Sequence, residues 1–320
     1  MSLTINHETN EITNATGIVT VNGTAVGNDN TPIVWYGSRG LFGGGTASPG
    51  NSIEYITIAT TGNATDFGDF LSTLKEHAGC SNGARGIFGG GHAGINVIQY
   101  VTISTTGNST DFGDLTVARQ HLSACSDGLR GVFAGGSNSS NALRNEIDYI
   151  TIATTGNATD FGNLLASIYY QASCADSTRG IFHTGSTGTT SDHVDSIEYI
   201  TIQTAGNATD FGNATLSRSM LTGCSSETRG VFGGGYNPTN GHVNIIEYIT
   251  IATAGNATDF GDFSATNYAH AACSDNSRAV FGGGTHNQME YITIATTGNA
   301  TDFGELVGSG GYFNASCSGT

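Results

Sequence analysis

The tetrapeptide TDFG occurs six times, with its Asp at Asp66, Asp111, Asp160, Asp210, Asp259 and Asp302. Successive copies lie 43 to 50 residues apart. A period of that length means stacked copies of one supersecondary unit, and it constrains the fold before any local pattern does. Two further markers keep the same step. An Arg followed by Gly, an aliphatic residue and Phe starts at Arg39, Arg85, Arg130, Arg179 and Arg229, with Ala replacing Gly after Arg278. One Cys per unit stands at Cys80, Cys125, Cys174, Cys224, Cys273 and Cys317.

Within a unit, RGIFGGG is a short apolar run closed by glycines, and IEYITIAT alternates strand-forming residues. TGN before TDFG is a turn signal, and a small-residue segment ending in Cys precedes each Arg. No stretch has helical periodicity. Each unit therefore reads as four short strands, A to D from a central channel outward, with A at the Cys segment, B at the Arg segment, C at IEYITIAT and D at TDFG. The expected fold is all-β, a six-bladed β-propeller over residues 31–320. The last segment, NASCSGT, is a strand A without a unit after it, and the first unit begins without one. The C-terminal strand is thus expected to complete the first blade, a Velcro closure that removes free edges.

The order Arg, small apolar strand, glycine-closed strand, Tyr-bearing strand and aromatic after a turn resembles the kelch repeat, in all six units. Two features depart from it. Phe67, Phe112, Phe161, Phe211, Phe260 and Phe303 stand where kelch repeats carry Trp, and the fourth unit has HTG in place of its glycine run. The regular wording IEYITIATTGNATDFG also looks like kelch-like virion proteins of tailed, especially marine, bacteriophages. That resemblance implies a virion fibre, appendage or decoration, with residues 1–30 as an N-terminal arm attached to other virion proteins.

Composition narrows the partners. A net charge of -16 repels phosphate backbones and argues against nucleic acid. No apolar run is long enough to span a membrane, and MSLTINHETNE has neither part of a secretory signal, so synthesis in the host cytoplasm without a signal peptide is expected. The six Cys occupy equivalent places around a ring, where pairs rarely meet disulfide geometry; they read as buried small hydrophobes.

Antiparallel order puts the A–B and C–D connections on one face and the B–C and D–A connections on the other. The first set hardly changes between units; the second varies in length and chemistry. The non-repeated functional side chains fall in the variable set: Lys75, His77, His92, Arg119, His121, Arg144, Tyr169, Tyr170, His193, Arg218, Tyr236, His242, Tyr268, His270, His286 and Tyr312. Such a face suits recognition of a host surface glycan or a protein. The repeated Arg39, Arg85, Arg130, Arg179, Arg229 and Arg278, with the six Asp of TDFG, read as structural, in a ring of Arg–carboxylate contacts. Phe67 and its equivalents read as wedges between blades.

No catalytic residues, metal or cofactor are expected. His77, His121 and His270 lie three or four residues before their Cys, where blades could converge on one ion, but Tyr170, Met220 and Phe313 interrupt that ring. A glycan-active or metal-dependent propeller enzyme and a cytoplasmic kelch scaffold are the alternatives to a non-enzymatic virion protein.

Overall fold

A computed structural model describes residues 37–320 except 47, 189–191, 308–310 and 313, together with four short strands before them. Those four form two hairpins, Thr4–Asn6 with Glu11–Thr13 and Val19–Val21 with Thr24–Val26. The rest of the expected arm lies outside the described residues.

Six four-stranded antiparallel sheets follow, and no helix occurs among the described residues. Blade 1 combines Ala315–Gly319 with Arg39–Gly43, Ser52–Thr57 and Thr65–Asp69. Blade 2 is Ala78–Ser81, Arg85–Gly89, Val97–Thr102 and Thr110–Asp114. Blade 3 is Ser123–Ser126, Arg130–Ala134, Glu146–Thr151 and Thr159–Asn163. Blade 4 is Ala172–Ala175, Arg179–Ser186, His193–Thr201 and Thr209–Asn213. Blade 5 is Thr222–Ser225, Arg229–Gly233, Ile245–Thr250 and Thr258–Asp262. Blade 6 is His270–Ser274, Arg278–Gly283, Gln288–Thr293 and Thr301–Glu305. Each strand A touches the strands A of its two neighbours, which closes the ring, and the C-terminal strand pairs with Arg39–Gly43 as expected.

The core lies between blades. A β-bulge at one place in every C–D pair leaves the Phe of TDFG unpaired and turns it inward. All six Phe are buried, 2–3% exposed, and pack edge-on to the strand C Tyr at 6.0–6.2 Å. Phe67 also reaches Val101 and Ile103 of blade 2. Burying one such ring contributes about 1.5–3 kcal/mol, more than the roughly 1 kcal/mol net from a hydrogen bond. Packing therefore holds the blades together, and the polar contacts fix their register.

Those polar contacts explain why the wording repeats. The Asn of each C–D turn, TGN in four blades and AGN in two, accepts a hydrogen bond from a backbone N–H in strand D of the preceding blade, at 3.0–3.1 Å in all six cases. Two residues' worth of the same loop then pairs with that strand; Ala158 N–H, for example, donates to the Asp114 carbonyl at 2.8 Å. Each outer edge is thus covered by the next blade. The Gly of TDFG is required for that approach: it has a φ of 147–150°, and a Cβ there would overlap the carbonyl of the next blade's C–D turn.

The repeated Arg corrects an expectation. Its guanidinium lies 4.2–4.8 Å from the centre of the strand C Tyr ring in its own blade. It donates at 2.7–3.1 Å to the carbonyl just after strand C of the next blade. It meets carbonyl oxygens and a π face because the TDFG carboxylates point outward; all six are exposed. The six thiols are free and buried, as expected. Cys80, for example, rests against Gly131 of the next blade, where a Cβ would crowd the sulfur at 2.9 Å.

Candidate recognition face

The D–A connections descend into strand A at the channel mouth, and one register position there is unusual. Four residues before the Cys stand Glu76, His121, Tyr170, Met220 and Ala269, with φ of 61°, 57°, 58°, 57° and 54°. The sixth equivalent, residue 313, lies outside the described residues. A left-handed residue here lets its N–H reach the blade before it. His121 N–H donates to the Glu76 carbonyl at 2.8 Å, Tyr170 to His121 at 3.0 Å, Met220 to Tyr170 at 2.9 Å, and Ala269 to Met220 at 2.7 Å. The result is a hydrogen-bonded collar around a cavity of about 80 Å³.

Side chains on the collar change from charged to apolar around the ring. The Glu76 carboxylate meets His121 Nε2 at 3.1 Å and His92 Nδ1 at 2.9 Å. Burial alone would raise its pKa, but the two histidine partners outweigh that and hold it down to about 2. Tyr170 Oη lies 2.9 Å from the same His121 nitrogen, and its ring stacks obliquely on the imidazole at 4.1 Å. Burial, then the Glu76 charge, raises the Tyr170 phenol above its ordinary range. Met220 and Ala269 form the apolar side.

A second aromatic group occupies the other half of this face. His193 contacts Tyr236 at 5.7 Å, Tyr236 contacts His242 at 5.6 Å, and His242 stacks on Tyr268 at 3.9 Å and 11°. Tyr312 continues the line, 5.2 Å from Tyr268. These rings come from the loops of blades 4, 5, 6 and 1, and all are half-exposed or exposed.

Of the other residues read from sequence onto this face, His92 and His286 are exposed, and Lys75, Arg144 and Tyr169 are half-buried. His121 lines the mouth although only 8% exposed. Four belong to the interior instead. Arg119 is fully buried and pairs with Asp148 at 2.6 Å, while donating to the Gly135 and Glu146 carbonyls. Arg218, also fully buried, pairs with Glu247 at 2.5 Å. Their register is apolar and buried at Leu74 and Ile168, while blade 6 holds half-buried Asn267 there. His77 and His270 pack between blades, edge-on to Phe70 at 5.4 Å and Phe263 at 5.6 Å, at the wall of the collar cavity. Neither imidazole has a hydrogen-bond partner, and burial pushes both pKa values down to about 3. His77, His121 and His270 thus border one cavity without forming a ligand group. Among the described residues, no group of three or more His, Cys, Asp or Glu is placed to hold a metal.

Sequence reading missed the acid of strand C. Glu54, Gln99, Asp148, Glu198, Glu247 and Glu290 each accept from the backbone N–H that opens the preceding blade's D–A loop, at 2.7–3.3 Å. This second closed ring of contacts ties the variable loops to the rigid sheets. Its repetition in IEYIT was the available signal. His183 of blade 4 is likewise internal, stacked on Phe232 at 3.9 Å and 3.2 Å from Glu247. Burial alone would raise the Glu247 carboxyl, but His183 and Arg218 hold it down to about 2.

No protein-family profile and no curated protein matches this chain.

Proposed function

We propose that this chain is a non-enzymatic recognition propeller, whose variable face binds a host surface glycan or another protein around the channel mouth. The observation that carries the reading is the collar. A left-handed backbone costs an L-residue about 1–2 kcal/mol, so five cost on the order of 5–10 kcal/mol. That is comparable with the whole stability of a domain. Glycine would give the same backbone without the cost, and this chain uses it freely at such conformations elsewhere. Non-glycine residues kept in this conformation at the same register of five blades support a need for side chains there. The opposite face is accounted for by contacts between blades.

A virion setting, as a fibre, appendage or decoration of a tailed phage anchored through residues 1–30, is supported by the resemblance of the repeat wording. Immunoelectron microscopy of purified particles with an antibody to this chain tests it; label on free protein alone would remove the setting. Recognition is tested by replacing the B–C loops of blades 3, 4 and 5 with the short THNQ loop of blade 6 and measuring adsorption of the labelled protein to host cells. Unchanged adsorption would remove the recognition reading.

The carboxylate–imidazole–phenol line from Glu76 through His121 to Tyr170 favours a second reading, a glycan-active enzyme. Turnover of an oligosaccharide that is lost in His121→Ala would support it.

A further inference from the structure

Resting on the recognition reading, we propose that the line His193, Tyr236, His242, Tyr268 and Tyr312 is the ligand-binding subsite of the variable face, and that its ligand is a neutral oligosaccharide. Aromatic rings with polar tips offer a sugar an apolar face to stack on and hydrogen-bonding groups at the rim. Four blades contribute, so the platform suits an extended chain of sugars rather than a single one.

The rings are held before any ligand arrives. Tyr236–Asn237 and Gly241–His242 form a small hairpin that sets Tyr236 opposite His242. Asn237 fixes its turn, accepting from Thr239 and Asn240 N–H and donating to the Ser217 carbonyl at 2.7 Å. Tyr268 follows Asn267, whose side chain donates to the Gly283 carbonyl and accepts from the Tyr268 and Thr285 N–H groups. Tyr312 exchanges backbone and side-chain bonds with Thr46, at 3.0 and 3.1 Å. Rigid tyrosines bind at a low entropic cost, and rings positioned in advance lower it further.

Charge selects the class of glycan. The chain has ten Lys and Arg. Six of these are the Arg that begin strand B, on the opposite face, and Arg119 and Arg218 are buried in pairs. Lys75 and Arg144 belong to the loops of blades 2 and 3 and stand beside Glu76 and Glu146. None of the ten serves the aromatic line, and the net charge is -16. A sialylated, uronic or phosphorylated chain would meet repulsion without a compensating cation.

The test is a microarray of neutral and acidic oligosaccharides probed with the full chain, followed by calorimetric titration of the strongest neutral binder. Expected are binding to neutral glycans, at least a tenfold loss in Tyr268→Ala and Tyr236→Ala, and near-native affinity in Tyr268→Phe, which keeps the ring. Unchanged melting temperatures exclude misfolding as the cause. Exclusive binding to acidic glycans, binding to none, or full affinity in both alanine variants overturns the proposal. If the alanine variants adsorb to host cells normally while the loop-replaced chain does not, this subsite fails and the recognition reading stands. If both adsorb normally, the recognition reading fails as well.

Discussion

The side chain of Asn63 accepts a hydrogen bond from the backbone N–H of Glu305 at 3.1 Å, across 242 residues of sequence. It is one of six such clasps, and it shows that the ring closes at its perimeter as well as at its C-terminal strand. Loss of a clasp leaves a strand D donor beside solvent, so Asn157→Ala is expected to cost about 1 kcal/mol. Gly113→Ala, which sets a methyl against the Gly156 carbonyl at the same seam, is expected to cost more than twice that. Urea unfolding of both variants checks the order; equal or reversed costs would show that the clasp is not what fixes this glycine.

A natural comparison is built into the interfaces between blades. Leu74 holds the register of Arg119 ahead of blade 2, whose strand C carries Gln99 bonded to the Leu71 N–H, whereas Arg119 faces Asp148 one blade later. Arg119→Leu alone strands a buried carboxylate and is expected to cost about 3–5 kcal/mol. Adding Asp148→Gln reproduces the uncharged pair of the sister interface and should recover most of that loss. A double variant no more stable than the single one would mean that the guanidinium is needed for its carbonyl contacts.

Acid sensitivity follows from His77 and His270. Both are held neutral with pKa values near 3, while an unfolded imidazole titrates near 6.5. Between these values the unfolded chain binds protons that the folded chain refuses. Stability present above pH 6.5 is therefore lost as the pH falls, by up to about 1.4 kcal/mol per pH unit for each histidine. The same register holds Leu122 and Leu221 in blades 3 and 5. The double variant His77→Leu/His270→Leu should accordingly flatten the decline between about pH 6.5 and 4.5. Below that, protonation of Glu76 and Glu247 destabilises both proteins, since their folded pKa values are near 2. Denaturation midpoints across this range decide it, and parallel curves for the two proteins would refute the assignment.

Ala269→Gly isolates the collar's strain, because only a methyl is lost at a φ of 54°. Glycine normally weakens a folded chain through entropy, but here it should raise stability by roughly 0.5–1 kcal/mol. Thermal unfolding checks the sign; a loss would show that the surrounding packing had already absorbed the strain.

The repeat made the propeller legible because each unit carries its own turn and strand signals, and the closure followed from a strand left over at one end. The parity of antiparallel strands likewise separated a constant from a variable face. Contacts between blades were harder to read. Arg39 could have met a carboxylate on its own face, and nothing local indicated that a carbonyl 64 residues on would take its proton donors. Arg119 and Arg218 look like surface cations when read alone. Aligned with Leu74 and Ile168 they share a buried position, which only comparison between units exposes. His77 and His121 differ by a single register step, yet that step separates the inside of an interface from the rim of the channel.

Each cysteine sulfur faces a single seam, between its own blade and the one after it, and burial pushes the six thiols above their ordinary pKa. A thiol in that state reacts slowly until the seam parts. The six cysteines are thus built-in clocks: the alkylation rate of each reports how often one particular pair of blades separates, and the spread among them would reveal where the ring first opens.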